Sequence, residues 1–306
     1  MEPPIAYDPL DDALGGLRPR GAVLFRSDLA APWGFTAAGG GASFHIVESG
    51  RCEVTAEGET LDLGAGDLVV LPRGSEAAFR DGPGRPAPPL NAVLDAWPPG
   101  PSGVLRNEGP GPRTSLVCGA LAFDDAVPHP VLEALPPLLV LRAADDGTPW
   151  LRQTLQFLSC ESRSGRPGAA TVMGHLGSVV FLQAVRAALA GCPARAGWLG
   201  ALGDAHLGPA LRAVWAEPGA PWTVEALGRE AGLGRSAFAA RFRAAVGESP
   251  MRHVTRWRVY HAARLLRADA TLAEAAERAG YESEAAFSRA FKRWTGRTPG
   301  ALRRAA

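Results

Sequence analysis

The stretch GYESEAAFSRAFKRWTGRTP, residues 280–299, has a counterpart earlier in the chain, GLGRSAFAARFRAAVGESP, residues 232–250. Aligned at Gly232 and Gly280, the preceding residues correspond at a spacing of 48, so that Val224, Leu227 and Ala231 answer Leu272, Ala275 and Ala279. Past the glycines the spacing becomes 49: Phe238, Phe242, Gly247 and Pro250 answer Phe287, Phe291, Gly296 and Pro299, and the second turn carries one extra residue. In each copy, apolar positions 0, 3 and 7 mark one face of a helix, a glycine permits a sharp turn, and a second helix sets two Phe four residues apart on one face. That is the packing pattern of a helix-turn-helix.

Between the copies, SPMRHVTRWRVYHAARLLRAD (249–269) opens with a Ser at the cap position and a Pro in the first turn, and it places Val259, Ala262 and Leu266 on one stripe. One linker helix should hold the two units at a fixed separation. Two recognition helices on a rigid support can enter successive major grooves on one face of a duplex, roughly 34 Å apart. The Phe faces leave Arg235, Ser236, Ala239, Ala240 and Arg243 free in the first recognition helix, and Glu284, Ala285, Ser288, Arg289 and Lys292 in the second.

Charge supports a polyanionic partner. The net charge of the chain is only +1, yet residues 221–306 carry 16 Lys+Arg against 8 Asp+Glu, a net of +8, and the remainder has a net of −7. Lys292 is the sole lysine in the chain, which a GC-rich coding bias would explain; such a bias does not explain the segregation of charge.

With 306 residues and 46% hydrophobic content, the chain is long enough for two domains. No run of about 18 apolar residues occurs and the first residues are acidic, so neither a membrane span nor a signal peptide is expected, and a cytoplasmic protein is. Cys52, Cys118, Cys160 and Cys192 form no CxxC pair, which argues against a disulfide framework and a self-contained zinc finger.

Residues 1 to about 140 are rich in Gly and Pro and hold short strand-like runs: AVLF (22–25), SFHIV (43–47), CEVTA (52–56), DLVVLP (67–72) and TSLVCGALAF (114–123). Such spacing predicts an all-β sandwich or barrel. The segments DGPGRPAPP and AWPPGPSG are predicted loops. From about 150 the pattern turns helical, with Val172, Leu176, Val179, Val180, Leu182, Val185 and Leu189 apolar at helical spacing, facing either the β domain or a second copy of the chain.

From about residue 200 onward, the stretches PWTVEALGREAGLGRSAFAARFRAAVGESP, RVYHAARLLRAD and AAERAGYESEAAFSRAFKRWTGRTPGALRR resemble the DNA-binding domain of the AraC/XylS family of bacterial transcription regulators. The resemblance puts base readers at Ser236, Ala239, Ala240, Glu284, Ala285, Ser288 and Arg289. Arg289 is the leading candidate, because a bidentate arginine on guanine is the commonest specific contact. Ala239 and Ala240 stand where the family often has longer polar side chains, so the first unit would read a thymine methyl or mainly phosphates.

Upstream, LGAGDLVVLPRGSEAAF (63–79) resembles the second cupin motif through Gly66, Pro72 and Gly74, a pattern that shapes a tight turn between jelly-roll strands. The implied fold class is α+β: an N-terminal β jelly roll over 1–140, a helical linker or dimerisation segment over 141–198, and an all-α double helix-turn-helix over 199–306. Cupins often hold a metal through histidines, but the motif's usual histidine falls on Ala77, and only His45 remains of the first motif's pair. Another set, His45, Cys118 and His129, would suit zinc, with Cys52 or Glu76 as a fourth position. Cys118 alone could sense redox state or an electrophile if its thiolate were stabilised.

Two readings from different classes result. The first is a regulator whose cupin domain senses a small molecule, a metal or a redox signal, a homodimer that binds double-stranded promoter DNA and, if an activator, RNA polymerase. The second is a metal-dependent cupin oxygenase or isomerase with a DNA-binding tail, which the missing histidines disfavour.

Overall fold

The computed structural model describes residues 19–100, 103–123, 129–143, 149–164, 166–190 and 197–305. Two compact units divide them, one of residues 19–123 and 135–190, the other of residues 129–134 and 197–305. Cys192 and the acidic N-terminal stretch lie outside the described residues.

The first unit is a sandwich of two sheets. Its strands are β1 (Pro19–Ala30), β2 (Gly34–Ala37), β3 (Ala42–Ser49), β4 (Arg51–Ala56), β5 (Glu59–Gly64), β6 (Leu68–Leu71) and β7 (Ala77–Arg80), then β8 (Val104–Arg106), β9 (Arg113–Phe123) and β10 (Leu139–Leu141). A short helix, α1 (Leu90–Ala96), sits between β7 and β8. One sheet runs β10-β6-β3-β9-β1-β8 and the other β2-β7-β4-β5. Pairing is antiparallel except between β1 and β8.

Alternation explains how one core serves both sheets. Cys52, Val54 and Ala56 of β4 point inward to meet Phe35, Phe79, Leu116 and Cys118. Four of the five strand-like runs read in the sequence fall within β1, β3, β4 and β9, and DLVVLP extends one residue past each end of β6. The turn glycines behave as the motif demands. Gly66 and Gly74 have φ of +88° and +67°, and a Cβ on Gly74 would come within 2.6 Å of the Gly41 carbonyl oxygen. The proline-rich stretches on either side of α1 are loops over their described residues.

Two long helices complete this unit, α3 (Pro149–Ser164) and α4 (Ala169–Ala190); α2 (Pro130–Ala134) belongs to the other unit. Of the two alternatives the sequence left open, α4 takes the sheet for one face. It buries Val180, Phe181, Ala184 and Val185, and the Phe181 ring lies 5.4 Å from that of Phe123 in β9. Val172 and Val179 remain exposed.

The second unit is all helix: α2, α5 (Trp198–Ala201), α6 (Leu207–Ala216), α7 (Val224–Glu230), α8 (Arg235–Val246), α9 (Pro250–Arg267), α10 (Leu272–Arg278), α11 (Glu284–Thr295) and α12 (Pro299–Ala305). Among the described residues, no helix is long and apolar enough to cross a membrane.

Candidate nucleic-acid interface

The two sequence repeats fold as two helix pairs, α7/α8 and α10/α11. Each begins on a threonine cap: Thr223 accepts from the Ala226 N–H, and Thr271 forms a full capping box with Glu274. Gly232 and Gly280 make the turns with φ of +62° and +73°. Residues 231–234 separate the first pair and 279–283 the second, so the extra residue is in the second turn as the alignment requires. Gly247 and Gly296 end the recognition helices α8 and α11 in left-handed caps.

Burial of the paired phenylalanines fixes which side of each recognition helix is free. Phe238, Phe242, Phe287 and Phe291 are all at most 2% exposed. On α8, Arg235, Ser236, Ala240 and Arg243 are exposed and Ala239 is half-buried; on α11, Glu284, Ala285, Arg289 and Lys292 are exposed and Ser288 is half-buried. All ten residues singled out from the sequence are therefore accessible. Arg235 is engaged by Glu225 at 2.8 Å, an exposed pair that solvent screens and a phosphate can displace.

The linker helix α9 supports both pairs. Its stripe of Val259, Ala262 and Leu266 packs with Ala275, Phe287 and Phe291 of the second pair. Ser249 occupies the cap position of α9 without a side-chain hydrogen bond, so Pro250, not a serine cap, defines that start. Under the first pair, His253 is 1% exposed, and its Nε2 accepts from the indole N–H of Trp257 at 3.0 Å. An indole can only donate, so the ring proton sits on Nδ1 and faces Glu248 at 3.0 Å. Burial holds the His253 pKa below its usual value, in spite of that carboxylate.

Sequence reasoning missed how the pairs are locked to each other. Arg258 of α9 donates to the carbonyls of Pro218 (2.9 Å) and Ala220 (2.7 Å) and lies 5.9 Å over the Tyr281 ring. The loop it grips touches the second turn directly, since a Cβ on Gly280 would meet the Gly219 carbonyl oxygen at 2.2 Å. The loop ahead of α7 thus abuts the turn ahead of α11. Nothing in the local sequence names Gly280 as the neighbour of Gly219.

The zinc set expected from the sequence is not assembled. His45 and Cys118 are cross-strand partners in β3 and β9, as close as register can bring them. His45 nevertheless points into the apolar core, 4.3 Å from the Phe79 ring, with Nε2 3.2 Å from the Ser43 hydroxyl and Nδ1 without a hydrogen bond among the described residues. His129 belongs to the helical unit, its ring 4.5 Å from that of Tyr260. Cys52 is buried in the sheet core and Glu76 is exposed in a loop. Among the described residues, no group of three or more His, Cys, Asp or Glu could hold a metal ion. Nor is Cys118 an activated thiol: burial drives its pKa upward, as it drives that of Cys52 to about 12.

A two-sheet sandwich joined in one chain to a doubled helix-turn-helix with an accessible basic face defines a DNA-binding regulator. Residues 8–190 match the family described as Cupin, and residues 227–305 match the family described as Helix-turn-helix domain. A putative AraC-like transcription regulator of Streptomyces lividans is 34% identical over 303 residues, covering 97% of this chain and 98% of that one. The HTH-type transcriptional regulator AlkR of Acinetobacter baylyi is 32% identical, covering 83% and 85%. Among solved structures, the DNA-binding domain of AdpA in complex with a target DNA is 31% identical over 33% of this chain and 93% of that one, with a TM-score of 0.32. The chain belongs to the AraC-type transcription regulators that carry a cupin domain.

Proposed function

We propose that the chain is a cytoplasmic one-component regulator, in which a sheet domain over residues 1–140 senses a small molecule and a double helix-turn-helix over 199–306 reads two adjacent segments of promoter duplex. The observation that carries this reading is the repeated, doubly capped frame that buries four phenylalanines and leaves Arg235, Arg243, Arg289 and Lys292 accessible on two recognition helices. Footprinting on DNA upstream of its own gene tests it: two protected segments about one helical turn apart are expected, and the absence of any protection would remove the reading. RNA polymerase becomes a partner if the bound protein activates.

Within this reading Arg289 reads a base and Arg243 holds phosphate. Arg289 sits one turn into α11, whereas Arg243 lies near the C-terminal end of α8. Arg289→Ala should cost about 1–3 kcal/mol on the preferred site and little on scrambled DNA, while Arg243→Ala should weaken both alike. Titrations on both duplexes at one salt concentration decide it. Equal losses on the two for Arg289→Ala would make that residue a positioning contact.

The chain also pairs with a second copy through the segment 141–198. Val172 and Val179 of α4 and Phe157 of α3 are 38%, 46% and 54% exposed, and half-buried Leu176 completes an i, i+4, i+7 row with the two valines. Sedimentation at micromolar concentration should report a dimer, and Val179→Arg should shift it toward monomer. A wild-type monomer with and without DNA would defeat the claim.

A further inference from the structure

A cavity of about 500 Å³ lies in the sheet unit between the outer face of the six-stranded sheet and α3. Its volume is in the range of sites that enclose small organic ligands. The α3 wall is a single helical face, with Arg152, Leu155, Gln156, Ser159 and Cys160 at i, i+3, i+4, i+7 and i+8. The sheet supplies Ile46 and Val117, directly opposed in the β3/β9 register, and Glu48 two residues on from Ile46. Ala65, Gly66 and Ala143 close the far side; a Cβ on Gly66 would come within 2.7 Å of the Ala143 Cβ.

The polar groups on this wall are unequal. Glu48 is already neutralised: one oxygen accepts from Nε of Arg26 at 3.1 Å and the other from the Ser159 hydroxyl. Arg152 also lines the cavity, is exposed at its mouth, and has no hydrogen bond or ion pair among the described residues. With Arg26 balanced by Glu48, the site keeps one uncompensated positive charge beside an apolar floor of Ile46, Val47, Val117, Leu155 and Leu158. A neutral apolar guest would leave that charge unused, and a dianion would overcompensate it.

We propose that this cavity is the effector site, and that it takes an apolar small molecule bearing a single anionic head, the body against Ile46 and Val117 and the head on Arg152. This rests on the reading of the sheet domain as a sensor. It places the ligand outside the two-sheet core, where apolar side chains and an uncharged His45 already fill the space.

Cys160 provides a local reporter, since it lines the cavity and is exposed, whereas Cys52 and Cys118 are buried. Full-length protein is treated with N-ethylmaleimide, and modification at Cys160 is followed by peptide mass spectrometry, with decanoate as the probe and decanol as its neutral analogue. Decanoate is expected to slow alkylation of Cys160 several-fold and decanol much less. Arg152→Gln, at an exposed position that cannot upset the core, should raise the decanoate concentration for half-protection about tenfold, the worth of one charge-assisted contact. Leu155→Trp should fill the cavity and abolish protection. No protection by decanoate, equal protection by decanol, or an Arg152→Gln variant that behaves as wild type overturns the proposal. Duplex binding measured in parallel separates the two claims. A protected Cys160 with unchanged DNA affinity upholds the cavity and removes the sensor reading; an unprotected Cys160 overturns the cavity and leaves DNA binding intact.

Discussion

Raising the salt concentration fourfold, from about 50 to about 200 mM, is expected to weaken binding of the full-length protein to its preferred duplex about a thousandfold. Besides Arg289, which is assigned to a base, six exposed cations lie on or just beyond the two recognition helices: Arg235, Arg241, Arg243, Lys292, Arg293 and Arg297. Each phosphate neutralised releases condensed counterions, so log K falls against log salt with a slope of about −0.9 per contact, or roughly −5 for six. The effect arises from the C-terminal block of net +8, which the overall charge of +1 conceals. Fluorescence anisotropy with a labelled duplex across that range measures the slope directly. Binding that ignores salt would mean that the basic face is not where DNA sits. Arg289→Ala should leave the slope nearly unchanged, because a base contact releases no condensed ion, and Arg243→Ala should lower it by about one.

Acidification is expected to destabilise the sheet unit through His45. Burial holds the folded-state pKa of this histidine at about 3, against about 6.5 in an unfolded chain. Between those values the unfolded chain binds a proton that the folded one refuses. The stabilisation from a neutral His45 is therefore complete above pH 6.5 and is lost progressively as the pH falls toward 3. Over the full window the loss is on the order of 4–5 kcal/mol, and by pH 4.5 it should reach roughly 2–3 kcal/mol. His45→Leu keeps an apolar side chain of similar size against Phe79 and removes the titration. Urea unfolding of both proteins at pH 7.5 and 4.5 isolates the effect, since groups such as Asp204, drawn down to about 2 by its hydrogen bond from Arg241, titrate alike in the two. Parallel pH dependences for wild type and His45→Leu would show that the imidazole reaches water.

The same residue marks where sequence reasoning stopped. His45, Cys118 and His129 share donor chemistry that suits zinc, and side-chain type was the only ground for grouping them. Strand register does bring His45 beside Cys118, but it aims the ring at Phe79, while the chain after β9 carries His129 to Tyr260. Half of the strands were legible because β1, β3, β4, β6 and β9 each contain a run rich in β-branched, aromatic or other apolar residues, continuous in β6 and alternating with polar residues in β4. ETLDLG of β5 and AAFR of β7 are too short or too polar to register alone, and β10 is three residues long. They become strands because neighbours supply hydrogen-bond partners and one buried face.

What the sequence determined by itself was the DNA-reading half. Helix period, turn glycines and paired phenylalanines act within about twenty residues of one another, and local rules place Arg289 and Lys292 on the free face with no tertiary information. The tertiary structure alone decided the contact of Gly219 with Gly280, the grip of Arg258 on the loop ahead of α7, and the cavity whose walls come from β3, β9 and α3. Each joins residues dozens of positions apart, and such distances are set by the packing of whole elements, which no local periodicity encodes.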